Sequence, residues 1–161
     1  PHKSRGKLVE VRTYARPHAI DQQTPMLRRS PEILHALGAF IENAVSFADS
    51  YVSVDAVWSD QHITITISDD GPGFSSSVLP KLGEPYISER SQKHAGGGDM
   101  GLGFFIAKTL IEQSGGEVST FNQPEPDTGA VVRIRWLRSS LAADTSWSAH
   151  EGGLSETTQD N

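Results

Sequence analysis

Cysteine is absent from the 161-residue sequence. Disulfide bonds, thiolate metal sites and cysteine nucleophiles are therefore excluded, and the absence suits a reducing compartment. A run of about 18 consecutive apolar residues is also missing, and no apolar stretch follows the first basic residues, so we expect neither a membrane span nor a secretory signal. These absences favour a soluble segment without direct membrane contact.

Basic residues are lacking after Arg138, where the sequence carries only acidic charges. Residues 1–138 hold 14 basic and 16 acidic groups, so most of the net charge of -6 lies in residues 139–161. Large apolar residues are also sparse in this last segment, which therefore cannot bury enough surface to offset its ordering entropy. We predict one domain with a single core over residues 1–138, followed by a disordered acidic tail over residues 139–161.

The first 29 residues are rich in positive charge, with seven basic and two acidic groups. Such a patch is compatible with nucleic-acid binding, but aromatic residues, which stack on bases, are missing from it apart from Tyr14. Alternating apolar and charged residues over residues 8–13 instead indicate a half-buried strand. We therefore expect a solvated edge strand and loop, and no nucleic-acid partner.

The spacing of apolar residues predicts the order of the elements. Ser30 followed by Pro31 is typical of a helix start. The predicted helices cover residues 31–48 and 102–114, and the predicted strands cover residues 8–13, 51–58, 62–68, 117–121 and 130–136. Residues 69–99 are far longer than a usual connection, which indicates a functional or disordered loop. Helices covering one face of a mixed, mostly antiparallel sheet would form an α/β two-layer sandwich.

The first glycine cluster, residues 69–74, directly follows the isoleucine-rich strand. A carboxylate at a strand end can accept a hydrogen bond from the exocyclic amino group of adenine, whereas guanine presents a carbonyl oxygen there and would be repelled. Asp69 would therefore select the base, and Gly71 and Gly73 would let the backbone approach a ligand because they lack Cβ. A polar turn explains the same residues, because Asp-Gly and Pro-Gly are common turn dipeptides.

A second glycine cluster, residues 96–103, opens into the second predicted helix. The unpaired amides at a helix start and the helix dipole favour phosphate, and glycines let it approach closely. Two known phosphate motifs fail here: a dinucleotide fingerprint needs glycine in place of Ile106, and a P-loop needs glycine in place of Leu102 and Ala107. The cluster therefore predicts either another kind of phosphate site or a flexible hinge that caps the helix.

A third candidate is Asn43, a polar residue in an otherwise apolar region of the first helix. Phe40 and Phe47 flank it at i−3 and i+4, so its amide must find a partner or cost about 1 to 3 kcal/mol. Its side-chain oxygen could ligate Mg²⁺, which takes oxygen ligands and keeps part of its coordination for phosphates. A core asparagine with satisfied hydrogen bonds is the alternative.

Together, and in this order, these residues resemble the ATP-binding catalytic domain of bacterial sensor histidine kinases, which has the Bergerat or GHKL fold. Residues 41–44 resemble the N box, residues 69–73 the first glycine box, residues 84–86 the remnant of an F box, and residues 101–103 the second glycine box. The sequence around these boxes resembles the redox-responsive RegB/PrrB type. The resemblance covers residues 8–137 and implies the same α/β two-layer sandwich.

The resemblance implies a role for each box. Asn43 would hold Mg²⁺, Asp69 would bind adenine, and Gly71 and Gly73 would line the base pocket. Residues 86–99 would form a mobile lid over ATP. The remaining candidate ATP contacts are Tyr86, Arg90, Lys93, His94, Gly98, Gly101, Leu102 and Gly103, and for the charged lid residues a solvated loop charge is the alternative.

By the same resemblance, the domain would transfer the γ-phosphoryl group of ATP to a histidine on its own dimerisation domain. None of the six histidines has the acidic, proline-containing context of such an acceptor, so we expect an excised catalytic fragment. The full-length protein would be a homodimer that serves a response regulator, and this domain would be the cytoplasmic portion of a membrane-anchored sensor. Redox sensing is implied, but any redox cysteine would lie outside this sequence.

Two positions depart from the family pattern. Ala39 stands one helical turn before Asn43, where these kinases usually carry asparagine and the related ATPases a catalytic glutamate. Glu42 is a candidate catalytic residue, but it lies about 100° around the helix from Asn43 and cannot simply substitute. A basic residue is also common where Ser46 stands. We therefore expect nucleotide binding with weakened catalysis; a non-catalytic regulatory module and a related ATPase or serine kinase are the alternatives.

Overall fold

The computed structural model describes residues 8–20, 22–82 and 100–142, and for Met100 the backbone alone. The predicted order of strand, helix, two strands, helix and two strands is confirmed. The elements are β1 (Glu10–Pro17), α1 (Pro31–Phe47), β2 (Tyr51–Trp58), β3 (His62–Asp69), a 3₁₀ turn (Leu79–Lys81), α2 (Met100–Gln113), β4 (Glu117–Asn122), β5 (Ala130–Leu137) and α3 (Arg138–Leu141). No helix within these described ranges is long and apolar enough to span a membrane.

The five strands form one mixed sheet in the order β1-β2-β3-β5-β4. β1 is parallel to β2, and the other neighbouring pairs are antiparallel. Ile65 of β3 lies opposite Ala56 of β2 and Ile134 of β5, so these apolar residues share one face of the sheet. The helices α1 and α2 pack on this face, which confirms the predicted α/β two-layer sandwich.

The hydrophobic core lies between the two long helices and the central strands. Phe40 of α1, Ile111 of α2 and Trp136 of β5 are each at most 1% exposed. The rings of Phe40 and Phe104 meet edge to face with their centroids 5.1 Å apart, which joins the two helices. Because α1, α2 and β3 share this core, the ends of these elements are held in a fixed relation to one another.

The start of α1 confirms the helix signal in the sequence. Ser30 has an extended backbone, and its Oγ accepts a hydrogen bond of 3.3 Å from the backbone N–H of Ile33. Pro31 occupies the first helical position, where a missing N–H costs no hydrogen bond. The helix ends at Phe47, one residue before the predicted end.

The structure corrects the prediction for the first strand. β1 covers residues 10–17 rather than 8–13, because it pairs in parallel with all of β2. The predicted solvated edge strand is confirmed, but the strand is more exposed than the half-burial that its alternation indicates: Val11 is 45% and Tyr14 is 51% exposed. Its place at the sheet edge, beyond the core that the helices cover, explains this exposure, since alternation in the sequence cannot distinguish a covered strand from an uncovered one.

The predicted tail begins too early in the sequence. Residues 138–141 form α3, and the side chain of Leu141 is only 6% exposed. The backbone N–H of Arg28 donates to the carbonyl of Leu141 at 2.8 Å, and Leu27 and Ala142 form an isolated β-bridge. Residues 139–142 therefore belong to the domain, because Leu141 reaches the core; residues 143–161 lie outside the described part of the chain.

Candidate functional site

Asp69 ends β3 and is 3% exposed, the one charged side chain that is buried in the described part of the chain. Its Oδ1 accepts hydrogen bonds from the backbone N–H groups of Gly71 at 2.8 Å and Ala130 at 3.3 Å. Burial raises the pKa of this carboxyl group, and the two N–H groups only partly oppose the shift. No described residue donates to Oδ2, so this oxygen is available to a hydrogen-bond donor of a ligand.

Both glycines of the first cluster are required by contacts within the protein. A Cβ at Gly71 would overlap the carbonyl oxygen of Phe47, the last residue of α1. Gly73 has a φ of +81°, and a Cβ there would lie 2.8 Å from Oδ1 of Asn122. The turn is therefore built around the missing side chains. Contact of Gly71 and Gly73 with a ligand stays a prediction.

Asp70 has a structural role that the sequence did not indicate. Its carboxylate accepts hydrogen bonds from the backbone N–H groups of Asp49 at 2.9 Å, Ser50 at 2.9 Å and Tyr51 at 3.2 Å. Partial burial raises the pKa of Asp70, but these N–H groups outweigh it and the pKa is lowered. Asp70 thus joins the glycine turn to the loop between α1 and β2.

The end of β4 and its connection to β5 form the other wall of the turn, which the sequence did not indicate. Asn122 Oδ1 accepts from the N–H of Phe74 at 2.7 Å, and its Nδ2 donates to the Phe74 carbonyl at 2.8 Å. Gln123 Nε2 donates to the carbonyl of Asp69 at 3.3 Å. Gly129 has a φ of +124°, and a Cβ there would overlap that carbonyl oxygen. No local sequence signal marks such contacts, because they join residues 48 or more positions apart.

Asn43 and Ala39 lie on the same side of α1, one turn apart, and both are half-buried. Among the described residues none hydrogen-bonds to the Asn43 side chain, whereas Ala39 packs against the core. Glu42 is exposed, and Ser46 Oγ donates to the Glu42 backbone carbonyl at 3.0 Å. The structure therefore places no acidic side chain at the position of Ala39.

The residues around Asn43 fit a magnesium ion only if other groups complete its coordination. The described ranges contain no cluster of three or more acidic or histidine side chains that could hold a metal ion. Asn43 offers one neutral amide oxygen that no described group occupies. This fits Mg²⁺, which commonly takes one or two protein ligands and completes its shell with phosphate oxygens and water.

The second glycine box lies in the first turn of α2, slightly earlier than the predicted helix start. Gly101 is buried, Leu102 is 56% exposed, and a Cβ at Gly103 would meet no atom of the described residues within 4 Å. Contacts within the described part of the protein therefore do not explain Gly103, in contrast to Gly71. The open space at Gly103 leaves room for a ligand beside the unpaired N–H groups of the first helical turn.

The remaining predicted site residues lie outside the described part of the chain. They belong to the F-box remnant and to the predicted lid over residues 86–99, and they are Glu84, Pro85, Tyr86, Arg90, Lys93, His94 and Gly98. Their proposed roles stay predictions.

Comparison with known proteins identifies the domain. Residues 29–140 match the family model described as Histidine kinase-, DNA gyrase B-, and HSP90-like ATPase. The chain belongs to this ATPase family. The domain is 38% identical over 150 residues to the sensor histidine kinase RegB of Cereibacter sphaeroides. This match covers 84% of this chain and 32% of RegB. It is also 29% identical over 102 residues to the sensor histidine kinase CpxA of Escherichia coli, covering 63% of this chain and 22% of CpxA.

These matches make the chain an ATPase domain of the sensor histidine kinase type, and it spans less than a third of its RegB relative. Solved structures agree on the fold. Full-length ShkA in complex with AMPPNP matches with a TM-score of 0.63 at 22% identity, covering 85% of this chain and 27% of ShkA. The mycobacterial sensor histidine kinase MprB matches with a TM-score of 0.62 at 19% identity, and the match covers 80% of this chain and 81% of the MprB chain. At these identities the likeness concerns the two-layer fold alone.

Proposed function

We propose that this ATPase domain binds ATP with Mg²⁺ and transfers the γ-phosphoryl group to a histidine of a dimerisation domain in a sensor histidine kinase. The observation that carries the proposal is Asp69: a buried carboxylate at the end of β3 whose Oδ1 is held by two backbone N–H groups and whose Oδ2 has no donor among the described residues. The matches to RegB and CpxA, both sensor histidine kinases, support the choice of reaction.

Base selection follows from the chemistry of Asp69. Oδ2 accepts a hydrogen bond from the exocyclic amino group of adenine. Guanine presents a carbonyl oxygen at the same place, and two acceptors facing each other in a buried site repel and leave both groups unsatisfied. The domain therefore prefers ATP to GTP.

The phosphates lie toward the start of α2, where Gly103 leaves open space and the first helical turn presents unpaired N–H groups. Asn43 holds Mg²⁺ through its amide oxygen, and the ion supplies positive charge that neutralises the phosphate oxygens. In the transfer, a nitrogen of the acceptor histidine forms the new bond to the γ-phosphorus while the bond to the departing ADP oxygen breaks. The domain contributes position and charge rather than covalent chemistry.

The longer protein would act with a response regulator and as a homodimer, and the domain would lie on the cytoplasmic side of a membrane-anchored sensor. These assignments rest on the likeness to RegB, of which the chain covers 32%. Redox sensing rests on the same likeness.

A second candidate function is a regulatory module that binds nucleotide but transfers phosphate slowly. Ala39 favours this candidate, because it shares a side of α1 with Asn43 and offers no polar atom to orient a nucleophile or water. A related ATPase is distinguished by release of inorganic phosphate from MgATP in the absence of any acceptor.

The proposal is tested by the melting temperature of the domain with MgATP, with MgGTP, and with ATP plus EDTA. Binding to the folded state alone raises the melting temperature, so MgATP is expected to stabilise the domain more than MgGTP does. Asp69→Asn is expected to weaken ATP binding about ten-fold or more through the lost charged acceptor. Its melting temperature without nucleotide stays at or above the wild-type value, because burial disfavours the charged form of Asp69.

Asp60→Asn is the matched control, since Asp60 is an exposed carboxylate in the turn between β2 and β3, at the opposite end of β3 from Asp69. Its response to nucleotide should equal that of the wild type. Absence of any ATP response in the wild type would overturn the proposed function, and an equal response to GTP would overturn the role of Asp69.

A further inference from the structure

Asn122, at the end of β4, hydrogen-bonds through both its amide oxygen and its amide nitrogen to one distant residue, Phe74. Oδ1 accepts from the N–H of Phe74 at 2.7 Å, and Nδ2 donates to the carbonyl of the same residue at 2.8 Å. This pair of hydrogen bonds is the one that a residue of a neighbouring antiparallel strand would form. The side chain of Asn122 therefore satisfies the backbone N–H and carbonyl of Phe74, which lies beyond the end of β3 at Asp69.

The contact requires glycine at position 73. Gly73 adopts a left-handed φ of +81°, and a Cβ there would lie 2.8 Å from Asn122 Oδ1. The amide of Asn122 thus packs directly against the turn of the first glycine box. Loss of its hydrogen bonds would leave the backbone N–H and carbonyl of Phe74 without their side-chain partners and free the turn to move.

The same β4–β5 connection also holds the other end of this turn. Gln123 Nε2 donates to the Asp69 carbonyl at 3.3 Å, and the backbone N–H of Ala130 donates to Asp69 Oδ1 at 3.3 Å. Gly129 packs against the Asp69 carbonyl oxygen without a Cβ in between. The direction of Asp69 Oδ2 therefore depends on where β4 and β5 hold the turn that runs from Asp69 to Phe74.

We propose that Asn122 is a positioning residue of the nucleotide site: by holding Phe74, it sets the turn from Asp69 to Phe74 and thereby the affinity for ATP and the preference for ATP over GTP. Asn122 acts through the turn and does not itself contact nucleotide. The inference rests on the proposed function, because it assumes that Asp69 Oδ2 binds adenine. A purely structural Asn122 would affect stability and leave base preference unchanged.

The test uses isothermal titration of MgATP and MgGTP into four forms of the domain: wild type, Asn122→Ala, Asn122→Asp and Ser119→Ala. Asn122→Ala removes both hydrogen bonds, and we expect ATP affinity to fall about ten-fold and the ratio of ATP to GTP affinity to fall by about three-fold or more. Asn122→Asp keeps the acceptor for the Phe74 N–H but sets an oxygen against the Phe74 carbonyl. We therefore expect its loss of ATP affinity to lie between those of the wild type and Asn122→Ala. Ser119→Ala, at an exposed position of β4 whose side chain makes no hydrogen bond to a described residue, should match the wild type.

Urea unfolding of each form separates loss of folding from loss of positioning. If Asn122→Ala is unfolded, the milder Asn122→Asp variant decides, since it retains the acceptor for the Phe74 N–H. Folded variants with wild-type ATP affinity and a wild-type ATP to GTP ratio would overturn the inference while the proposed function stands. A wild-type domain that binds no MgATP would instead overturn the proposed function, and the role of Asn122 with it.

Discussion

Asp69 and Asp70 are adjacent in the chain and have opposite environments. Asp69 points into the protein, where burial raises its pKa despite two backbone N–H donors. Asp70 lies nearer the surface: burial raises its pKa, but the hydrogen bonds from three backbone N–H groups together outweigh this effect and lower the pKa. Asp69 is thereby suited to bind a ligand, and Asp70 is suited to stabilise the fold.

Asp70→Ala is expected to lower the free energy of unfolding by about 1 to 2 kcal/mol at pH 7, because three N–H groups lose a charged acceptor. The folded-state pKa of Asp70 is lowered, so its stabilisation is present above the unfolded pKa of about 3.9 and is lost as pH falls through the folded value. The difference between Asp70→Ala and the wild type should therefore shrink below pH of about 4.

Urea unfolding at pH 7 and at several pH values below 5 measures this difference. Asp60→Ala, at an exposed turn, serves as the control and should change stability by less than about 0.5 kcal/mol. A difference for Asp70→Ala that stays constant down to pH of about 3 would contradict the assigned hydrogen bonds.

At the scale of the elements, local patterns were sufficient where an element forms by its own contacts. The cap of α1 depends on Ser30 and Pro31, which are adjacent in sequence, and β2 and β3 carry their apolar residues in alternation toward one core. The full extent and exposure of β1, beyond the half-buried strand that its alternation indicates, and the fold of α3 were not predictable in this way. Both depend on which neighbour covers the element, and that is decided by residues far away in the chain.

Truncation distinguishes α3 from the segment that follows it. Removing residues 143–161 leaves every described contact in place, so stability should stay close to that of the full chain. Removing residues 139–161 also deletes Leu141, which is 6% exposed, and should lower the free energy of unfolding by about 1.5 to 3 kcal/mol. Guanidinium unfolding of both truncated chains is the measurement, and equal stability of the two would contradict the domain assignment of α3.

At the scale of the whole molecule, the candidate site is assembled by sheet order. β5 lies between β3 and β4, so Ala130 reaches the side chain of Asp69 and Asn122 reaches Phe74. α1 and α2 pack together over the same sheet, which brings Asn43 and the glycines of α2 into one layer. The phosphoryl transfer that we propose would use an acceptor histidine on a dimerisation domain.

Ala39→Asn tests how far the departure from the family pattern weakens transfer. The domain, joined to a histidine-bearing dimerisation domain, is compared with its Ala39→Asn variant by the rate of histidine phosphorylation from MgATP. An amide one turn before Asn43 can orient groups at the phosphate, so the rate is expected to rise about ten-fold with ATP affinity little changed. Leu34→Asn, at a 56% exposed position of α1, is the control; equal rates for the wild type and the Ala39→Asn variant would remove the case for weakened catalysis.

The sequence by itself determined the family, the order of the elements and the candidate role of Asp69, because the boxes and the apolar spacing are local patterns. Only the tertiary structure decided that Asp69 is buried, whereas Asp70 accepts hydrogen bonds from the backbone of the α1–β2 connection. It also decided that Asn122 and Gln123 hydrogen-bond to the backbone of the glycine turn. These contacts span 19 or more positions along the chain. They exist only once β5 has paired between β3 and β4 and the α1–β2 connection has packed beside the turn, so no short stretch of sequence encodes them.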